Sequence, residues 1–498
     1  MRRIRTMGFP LQTVAVMKLF GPMWLILGVI LNIQAFFMLW PLALASILDT
    51  GDQLPFFLSA AITCCAGICA LVIGHRANVN NIVPRQVFLT TSAAWLSVSA
   101  FGCLPFLLVK QPLTFTNAFF ESVSGVTTTG STVLIGLDNM APDLLLWRSL
   151  LQWMGGIGVI GMAVAVLPFL RVGGMRLFKT ESSDWSEKAT PRAHSLIKAM
   201  VYCYVCLSLL CMVSYRLTGM DWFNAINHAM TTVSTGGYST SDSSFGQFTN
   251  LASHWVSIIF MLLGAMPFVL FVRWFMHGKF LLLKDSQVRG LLLIVAVTAI
   301  VLAIPLWREG ASIFNAITVT TFNLVSVITT CGYASTDYQL WGPLAVLVFF
   351  FCTFIGGWSG STSGGLKIFR LQLLAGMVKG QFTTAIHPRA VVRHRYNNRL
   401  VSPEIISSSV AFILMMALSW VMISAILAAT GLDLVTSITG AATALTNVGP
   451  GLGTIIGPAG NFEPLSDMAK WALAVGMLLG RLEFLTLLVI FSKAFWKN

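Results

Sequence analysis

Charge is scarce in this chain. Asp, Glu, Lys and Arg make up 10% of its 498 residues, where an ordinary soluble domain carries about 25%. That scarcity excludes a typical water-soluble enzyme. Acid is scarcer than base, with 18 Asp and Glu against 31 Lys and Arg, so the formal net charge is +13. The seven histidines are scattered and form no catalytic or metal-ligating set. The nine cysteines lack any zinc-type or disulfide-framework spacing. All but Cys331 fall in or beside apolar runs, where cysteine packs as a small hydrophobe. No nucleophile–base pair appears either, so the chain reads as something other than an enzyme.

Apolar side chains are what the sequence has in quantity: 56% of it is hydrophobic. Runs of ~20 such residues read as membrane-crossing helices. The few charges are sorted. Basic residues gather at Arg2 to Arg5, His75 to Arg85, Arg171 to Lys198, Arg273 to Arg289, Lys367 to Arg399 and Lys493 to Lys497. The polar stretches between them are acidic, from Asp49 and Asp52 through Asp138, Asp221, Asp242 and Glu309 to Asp433 and Asp467. Lys and Arg in short loops mark the cytoplasmic side. The alternation therefore implies an even number of crossings with both termini cytoplasmic. Insertion topology alone accounts for the bias, and contact with anionic lipid or an acidic partner is a second use of the same loops. An acidic outer mouth would also raise the local cation concentration. The start, with Arg2, Arg3 and Arg5, resembles a signal peptide, but the apolar run Val14 to Leu48 is too long for one. A retained helix is expected there.

One short phrase occurs four times: Thr127-Thr128-Thr129-Gly130, Ser234-Thr235-Gly236-Gly237, Thr329-Thr330-Cys331-Gly332 and Thr446-Asn447-Val448-Gly449. Its final glycines recur 107, 95 and 117 residues apart, and such spacing signals internal repeats. Each unit reads as an outbound helix, a short amphipathic helix, the loop and an inbound helix. The expected spans are 87–109, 114–125, 126–132 and 144–170; 196–217, 221–233, 234–240 and 251–275; 290–307, 311–328, 329–335 and 342–369; and 404–430, 432–445, 446–453 and 468–492. Two opening helices, 14–48 and 54–75, precede them. The expected fold is all-α integral membrane: a two-helix start (1–80), then four membrane-pore-membrane repeats (81–185, 186–285, 286–400 and 401–498) in pseudo-fourfold arrangement around one pore.

The short helices, at ~10–14 residues, cannot span a bilayer, so re-entrant segments are expected. Irregular backbone at membrane depth is tolerated only where it is buried in protein or lines water, and four loops around one aqueous axis meet that condition together. A cation stripped of water needs oxygens in its place. Extended backbone with carbonyls turned to the axis supplies them, and glycine permits the necessary dihedrals. Hydroxyls of Thr127, Ser234, Thr329 and Thr446 would add a further ring. The short helices would aim their partly negative C-terminal ends at the cavity.

These four loops, with one filter glycine each, resemble the Trk/Ktr/HKT superfamily, and within it the bacterial Trk-type potassium-uptake membrane subunits. The likeness covers nearly the whole chain. It includes the two-helix start, the first loop ending at Gly130, the run Asn447-Val448-Gly449-Pro450-Gly451, and a Gly-rich stretch after the third loop. The resemblance implies K⁺ as the transported ion and no organic cofactor. It implies contacts to K⁺ from Thr128 and Thr129, Thr235 and Gly236, Thr330 and Cys331, and Asn447 and Val448. Glycine rather than serine at position 130 goes, in that family, with K⁺ over Na⁺. A homodimer in the bacterial inner membrane is implied as well. So is a cytosolic nucleotide-binding regulatory subunit docking on basic inner loops such as Arg389 to Arg399; no nucleic-acid partner is. A Na⁺-conducting, or K⁺/Na⁺- or K⁺/H⁺-symporting, member of the superfamily would carry the same signature.

The Gly-rich stretch holds Gly356, Gly357, Gly360, Gly364 and Gly365, and glycine at this density breaks a helix. It reads either as a loop just past the membrane edge or, as the resemblance implies, as an intramembrane gating loop beneath the filter. Its Lys367 is one place late for a phosphate-binding loop, and no strand precedes it. Arg481 lies within the last apolar run. An arginine there either pairs to hold helices together or, as the resemblance implies, faces the pore below the filter, where contact with the Gly356–Gly365 loop would help hold the pore shut; intramembrane charge is usually functional. Gly156, Gly158 and Gly161 spell a dinucleotide fingerprint inside an apolar helix, where small residues for close helix packing are the better account. Glu121 and His228, in short helices, read as hydrogen-bonded structural groups rather than proton carriers.

Overall fold

The computed structural model describes residues 11–77, 82–165, 189–278, 285–390, 393, 395–396 and 399–496. They are overwhelmingly helical, and the strands among them are two residues long. Among the described residues, seven helices are long and apolar enough to cross a membrane, or nine if two bent pairs each count as one span. On the third outbound helix, Ser286–Arg308, the residues Leu293, Val297, Ile300 and Ile304 are exposed. Their spacing puts them on one helical face, the face such a helix would turn to lipid.

Packing divides the chain into two compact units, 1–112 with 485–498, and 113–484. The sequence divisions at 80, 185, 285 and 400 follow chain periodicity, and the two need not coincide. In the first unit, Leu11–Leu48 and Gln53–Gly74 form a helical hairpin. A methyl group on Gly74 would lie 2.4 Å from the Leu25 amide nitrogen, so the helices touch backbone to backbone through small residues. The first outbound helix, Pro84–Gly102, packs on the hairpin, with Gln34 Nε2 donating to the Val98 carbonyl at 2.9 Å. It stops short of the expected residue 109, and a separate turn, Leu104–Leu108, follows. The turn Leu485–Leu488 rejoins it, where Ser92 Oγ donates to the Thr486 carbonyl at 3.4 Å.

The second unit holds all four short helices: Phe115–Val126, Trp222–Val233, Ile313–Ile328 and Leu434–Thr446. All begin in the same way. Thr114, Asp221, Ser312 and Asp433 each accept the backbone N–H three residues on through the side chain. Such N-caps satisfy a donor the helix cannot. The second to fourth outbound helices are Ala189–Leu217, Ser286–Arg308 and Pro403–Ala429.

The inbound helices depart more from expectation. The first, Pro142–Ala165, is described to residue 165, and its expected end at 170 lies outside the described residues. The second is not one helix over 251–275: Leu251–Gly264 gives way to Phe268–His277 with a bend of 92°. Pro267 stands at the break, and proline cannot donate to a helical ladder. The third changes from Pro343–Phe354 to β1 (Ile355–Gly356), which pairs in parallel with β2 (Leu366–Lys367) before Ile368–Ile386. The fourth is not one helix over 468–492. Asp467–Arg481 stops, and Glu483 and Phe484 adopt φ of 56° and 52°.

Candidate functional site

The four loops share a backbone signature that composition does not announce. Thr128, Thr235, Thr330 and Asn447 have φ of 52°, 51°, 59° and 56°. Two residues on, Gly130, Gly237, Gly332 and Gly449 have φ of 87°, 77°, 87° and 108°. A left-handed conformation costs a non-glycine residue roughly 1–2 kcal/mol. Paying it at four matched positions requires a surrounding structure that over-determines the loop, a pattern typical of functional sites.

The loops close a ring. A methyl group on Gly130 would lie 2.3 Å from the Gly236 carbonyl oxygen, one on Gly237 1.9 Å from that of Cys331, one on Gly332 2.0 Å from that of Val448, and one on Gly449 2.7 Å from that of Thr129. Each repeat's glycine thus faces the next repeat's carbonyl, and the fourth returns to the first. Side chains lock the ring from behind. Asn447 Nδ2 donates to Thr129 Oγ1 at 3.0 Å, and Ser131 Oγ to the Gly449 carbonyl at 3.0 Å. The tyrosines after the second and third glycines each reach the preceding repeat's short helix: Tyr238 Oη donates to the Glu121 carbonyl at 2.8 Å, and Tyr333 Oη lies 2.5 Å from Thr231 Oγ1.

The hydroxyls of Thr127, Thr329 and Thr446 donate to carbonyls four residues back, at 2.7, 2.7 and 2.8 Å, and Ser234 Oγ to Thr231 at 3.2 Å. Their protons serve the short helices. Cys331 Sγ is turned 3.9 Å from the Thr231 carbonyl, which leaves the backbone oxygen to the ring.

The Gly-rich stretch packs against this ring. Thr362 Oγ1 donates to the Gly264 carbonyl at 2.9 Å and accepts from Thr235 Oγ1 at 3.1 Å. Gly364 N donates to Thr330 Oγ1 at 2.7 Å, and a methyl group on Gly364 would lie 2.2 Å from the Thr446 carbonyl. The stretch thus meets loop residues of three repeats. The stretch is packed within the protein: Trp358, Ser359, Ser361, Thr362 and Ser363 are all buried. Arg481 reaches it as expected, with one guanidinium nitrogen donating to the Thr362 carbonyl at 2.9 Å. Lys367 Nζ donates to the Ser363 carbonyl.

Residues 55–498 match the TrkH family, described as cation transport protein. The chain belongs to the TrkH cation-transport family. It is 46% identical over 485 residues to the Trk system potassium uptake protein TrkI of Halomonas elongata, covering 97% of this chain and 98% of that one. It is 35% identical over 443 residues to the Trk system potassium uptake protein TrkH of Escherichia coli, covering 86% and 91%. The crystal structure of the potassium transporter TrkH from Vibrio parahaemolyticus superimposes with a TM-score of 0.89 at 33% identity, covering 96% of this chain and 100% of that one. The two-helix start and four pore repeats are therefore those of a TrkH-family membrane transporter.

Several residues that build this TrkH-type site went unread in the sequence. Arg148 is buried and ion-paired with Glu121 at 2.9 Å, donates to the Ser239 carbonyl at 2.9 Å and lies 4.1 Å over the Tyr238 ring. Gln152, one turn on, donates to the Gly236 carbonyl at 2.5 Å. Their signal was available: two long polar side chains in an apolar span. Arg370 and Glu483 form a second ion pair, at 2.5 Å; 113 residues of separation hid it. Glu121 and His228 are both buried and hydrogen-bonded. Glu121 also accepts from Thr132 Oγ1 and Val133 N, and His228 bridges the Asn224 carbonyl and Ser239 Oγ. Of the fingerprint glycines, Gly156 fits the packing account, since a methyl group there would lie 2.5 Å from Tyr204 Oη, but one on Gly161 would meet nothing within 4 Å.

Proposed function

We propose that this chain takes K⁺ into the cell across the bacterial inner membrane through the carbonyl ring of the four loops. The observation that carries the reading is the cyclic glycine-to-carbonyl approach, one contact per repeat, ending where it began. The oxygens of Thr129, Gly236, Cys331 and Val448 form its principal ring, with Thr128, Thr235, Thr330 and Asn447 one residue deeper. The short helices end at the ring, so their partly negative termini favour a cation there. The potassium-uptake names of the similar proteins support K⁺ as that cation.

The Gly356–Gly365 loop acts as the gate and Arg481 as its latch. The loop must leave the deep side of the ring for an ion to pass, and the Arg481 charge opposes a cation until it does. A homodimer, and a cytosolic nucleotide-binding subunit docking at Arg389 to Arg399, complete the assembly. The name "Trk system" borne by the relatives fits a multi-component machine; residues 391, 392, 394, 397 and 398 of that docking segment lie outside the described residues. Both termini are cytoplasmic in this reading. The test is K⁺ and Rb⁺ flux in proteoliposomes, with and without a proton gradient, for the wild type and Gly130→Ser. Selective K⁺ flux that Gly130→Ser shifts toward Na⁺ supports the proposal; an identical ion preference in both refutes it.

A further inference from the structure

The ring has one unlike corner. Gly236 is the only one of the four carbonyl-bearing positions occupied by glycine; its counterparts are Thr129, Cys331 and Val448. The reason is spatial. A methyl group at 236 would lie 2.4 Å from Cδ and 2.4 Å from Oε1 of Gln152. Gln152 comes from the first repeat's inbound helix, Pro142–Ala165, and is fully buried. Its Nε2 donates to the Gly236 carbonyl at 2.5 Å, and its Oε1 accepts from Tyr238 N at 3.0 Å. A backbone carbonyl only accepts and an N–H only donates, so the two partners fix which way the amide points. Among the described residues, the carbonyls of Thr129, Cys331 and Val448 accept no hydrogen bond.

The repeats themselves supply the comparison. A methyl group on Gly155 would lie 2.0 Å from the Val126 carbonyl, on Gly264 2.6 Å from that of Val233, and on Gly480 2.0 Å from that of Leu445. These are matched contacts between an inbound helix and the end of its short helix. Three residues earlier stand Gln152, Met261 and Met477. A thioether cannot donate, so only the first of these three presents a donor.

We infer that Gln152 is a specificity-determining positioning residue, which tethers the Gly236 carbonyl and sets the size and field strength of the ring at that corner. This rests on the reading of the ring as the K⁺ pathway. Donation from Gln152 occupies one lone pair of the Gly236 oxygen and holds it back from the axis. Released, that oxygen approaches closer and binds harder. Both accounts of K⁺ selectivity, cavity size and ligand field strength, then favour the smaller ion, Na⁺.

The test is competition of Rb⁺ uptake by K⁺ and Na⁺ in proteoliposomes holding the full-length protein. Gln152→Met installs the residue of the second and fourth repeats. Gln152→Glu keeps an acceptor for Tyr238 N and loses the donor to Gly236, which covers the case that Gln152→Met fails to fold. Gly236→Ala displaces Gln152 from the other side. The expected result is a rise in Na⁺ competition relative to K⁺ of about threefold or more, the scale of one hydrogen bond, independent of any change in maximal rate. Folded variants that lose rate but keep the wild-type Na⁺/K⁺ ratio would overturn the inference and leave the ring reading intact. A wild type with no preference for K⁺ would overturn both.

Discussion

Replacing Gly130 by alanine tests the ring most directly, because the structure separates two costs. The first is backbone strain: φ at Gly130 is 87°, and a left-handed conformation costs an alanine roughly 1–2 kcal/mol. The second is the approach to the next repeat. The new methyl group would lie 2.3 Å from the Gly236 carbonyl oxygen, where ordinary contact begins at 3.4 Å, so the two must part by 1.1 Å. Gln152 stands behind Gly236, so the displacement cannot be absorbed there without breaking a hydrogen bond. Gly136 supplies the control. Its φ is 75° and a methyl group there would meet nothing within 4 Å, so Gly136→Ala carries the strain without the contact. Gly136→Ala is expected to lose about 1–2 kcal/mol of stability in unfolding measurements, and Gly130→Ala more than that, because it adds the steric contact to the same strain. Only Gly130→Ala should lose K⁺ preference over Na⁺, by on the order of 10- to 100-fold, since displacements of ~1 Å at a working site cost about that much. The assay is Rb⁺ uptake into proteoliposomes under Na⁺ competition. A Gly130→Ala protein with wild-type preference, or a Gly136→Ala protein that loses it equally, refutes the reasoning.

Arg481→Ala removes the donor to the Thr362 carbonyl and should raise basal Rb⁺ flux; unchanged flux would dismiss the latch. Thr362→Val removes the hydroxyl that joins the loop to Gly264 and Thr235 and should act in the same direction, more weakly. Arg148→Met leaves Glu121 buried without its ion-pair partner, at a cost of about 3–5 kcal/mol, and adding Glu121→Gln should recover part of that loss in thermal unfolding. Asp433→Ala removes the cap of the fourth short helix and should cost about 1 kcal/mol with no change in ion preference, because the cap lies at the far end of that helix from the filter.

The membrane class, the two-helix start, the four repeats and the position of every short helix, to within a residue or two, are legible in the amino-acid order. The reason is that these are local or periodic properties: apolar runs, capping side chains, and a phrase repeated in order. The break at Pro267 belongs with them, since a proline states its consequence locally, although the apolar run around it continues unbroken. Tertiary structure alone decided what the loops do to one another. That Gly130 faces Gly236, or that Gly449 returns to Thr129, depends on contacts across hundreds of residues. The same holds for Arg370 with Glu483 and for the end of the last long helix at Arg481. Positive φ at Thr128, Thr235 and Thr330 could not be read from threonine, which disfavours it; only the packed ring enforces it. The sequence specified four similar walls, and the fold made them a closed ring with one corner, Gly236, held by a side chain from another repeat.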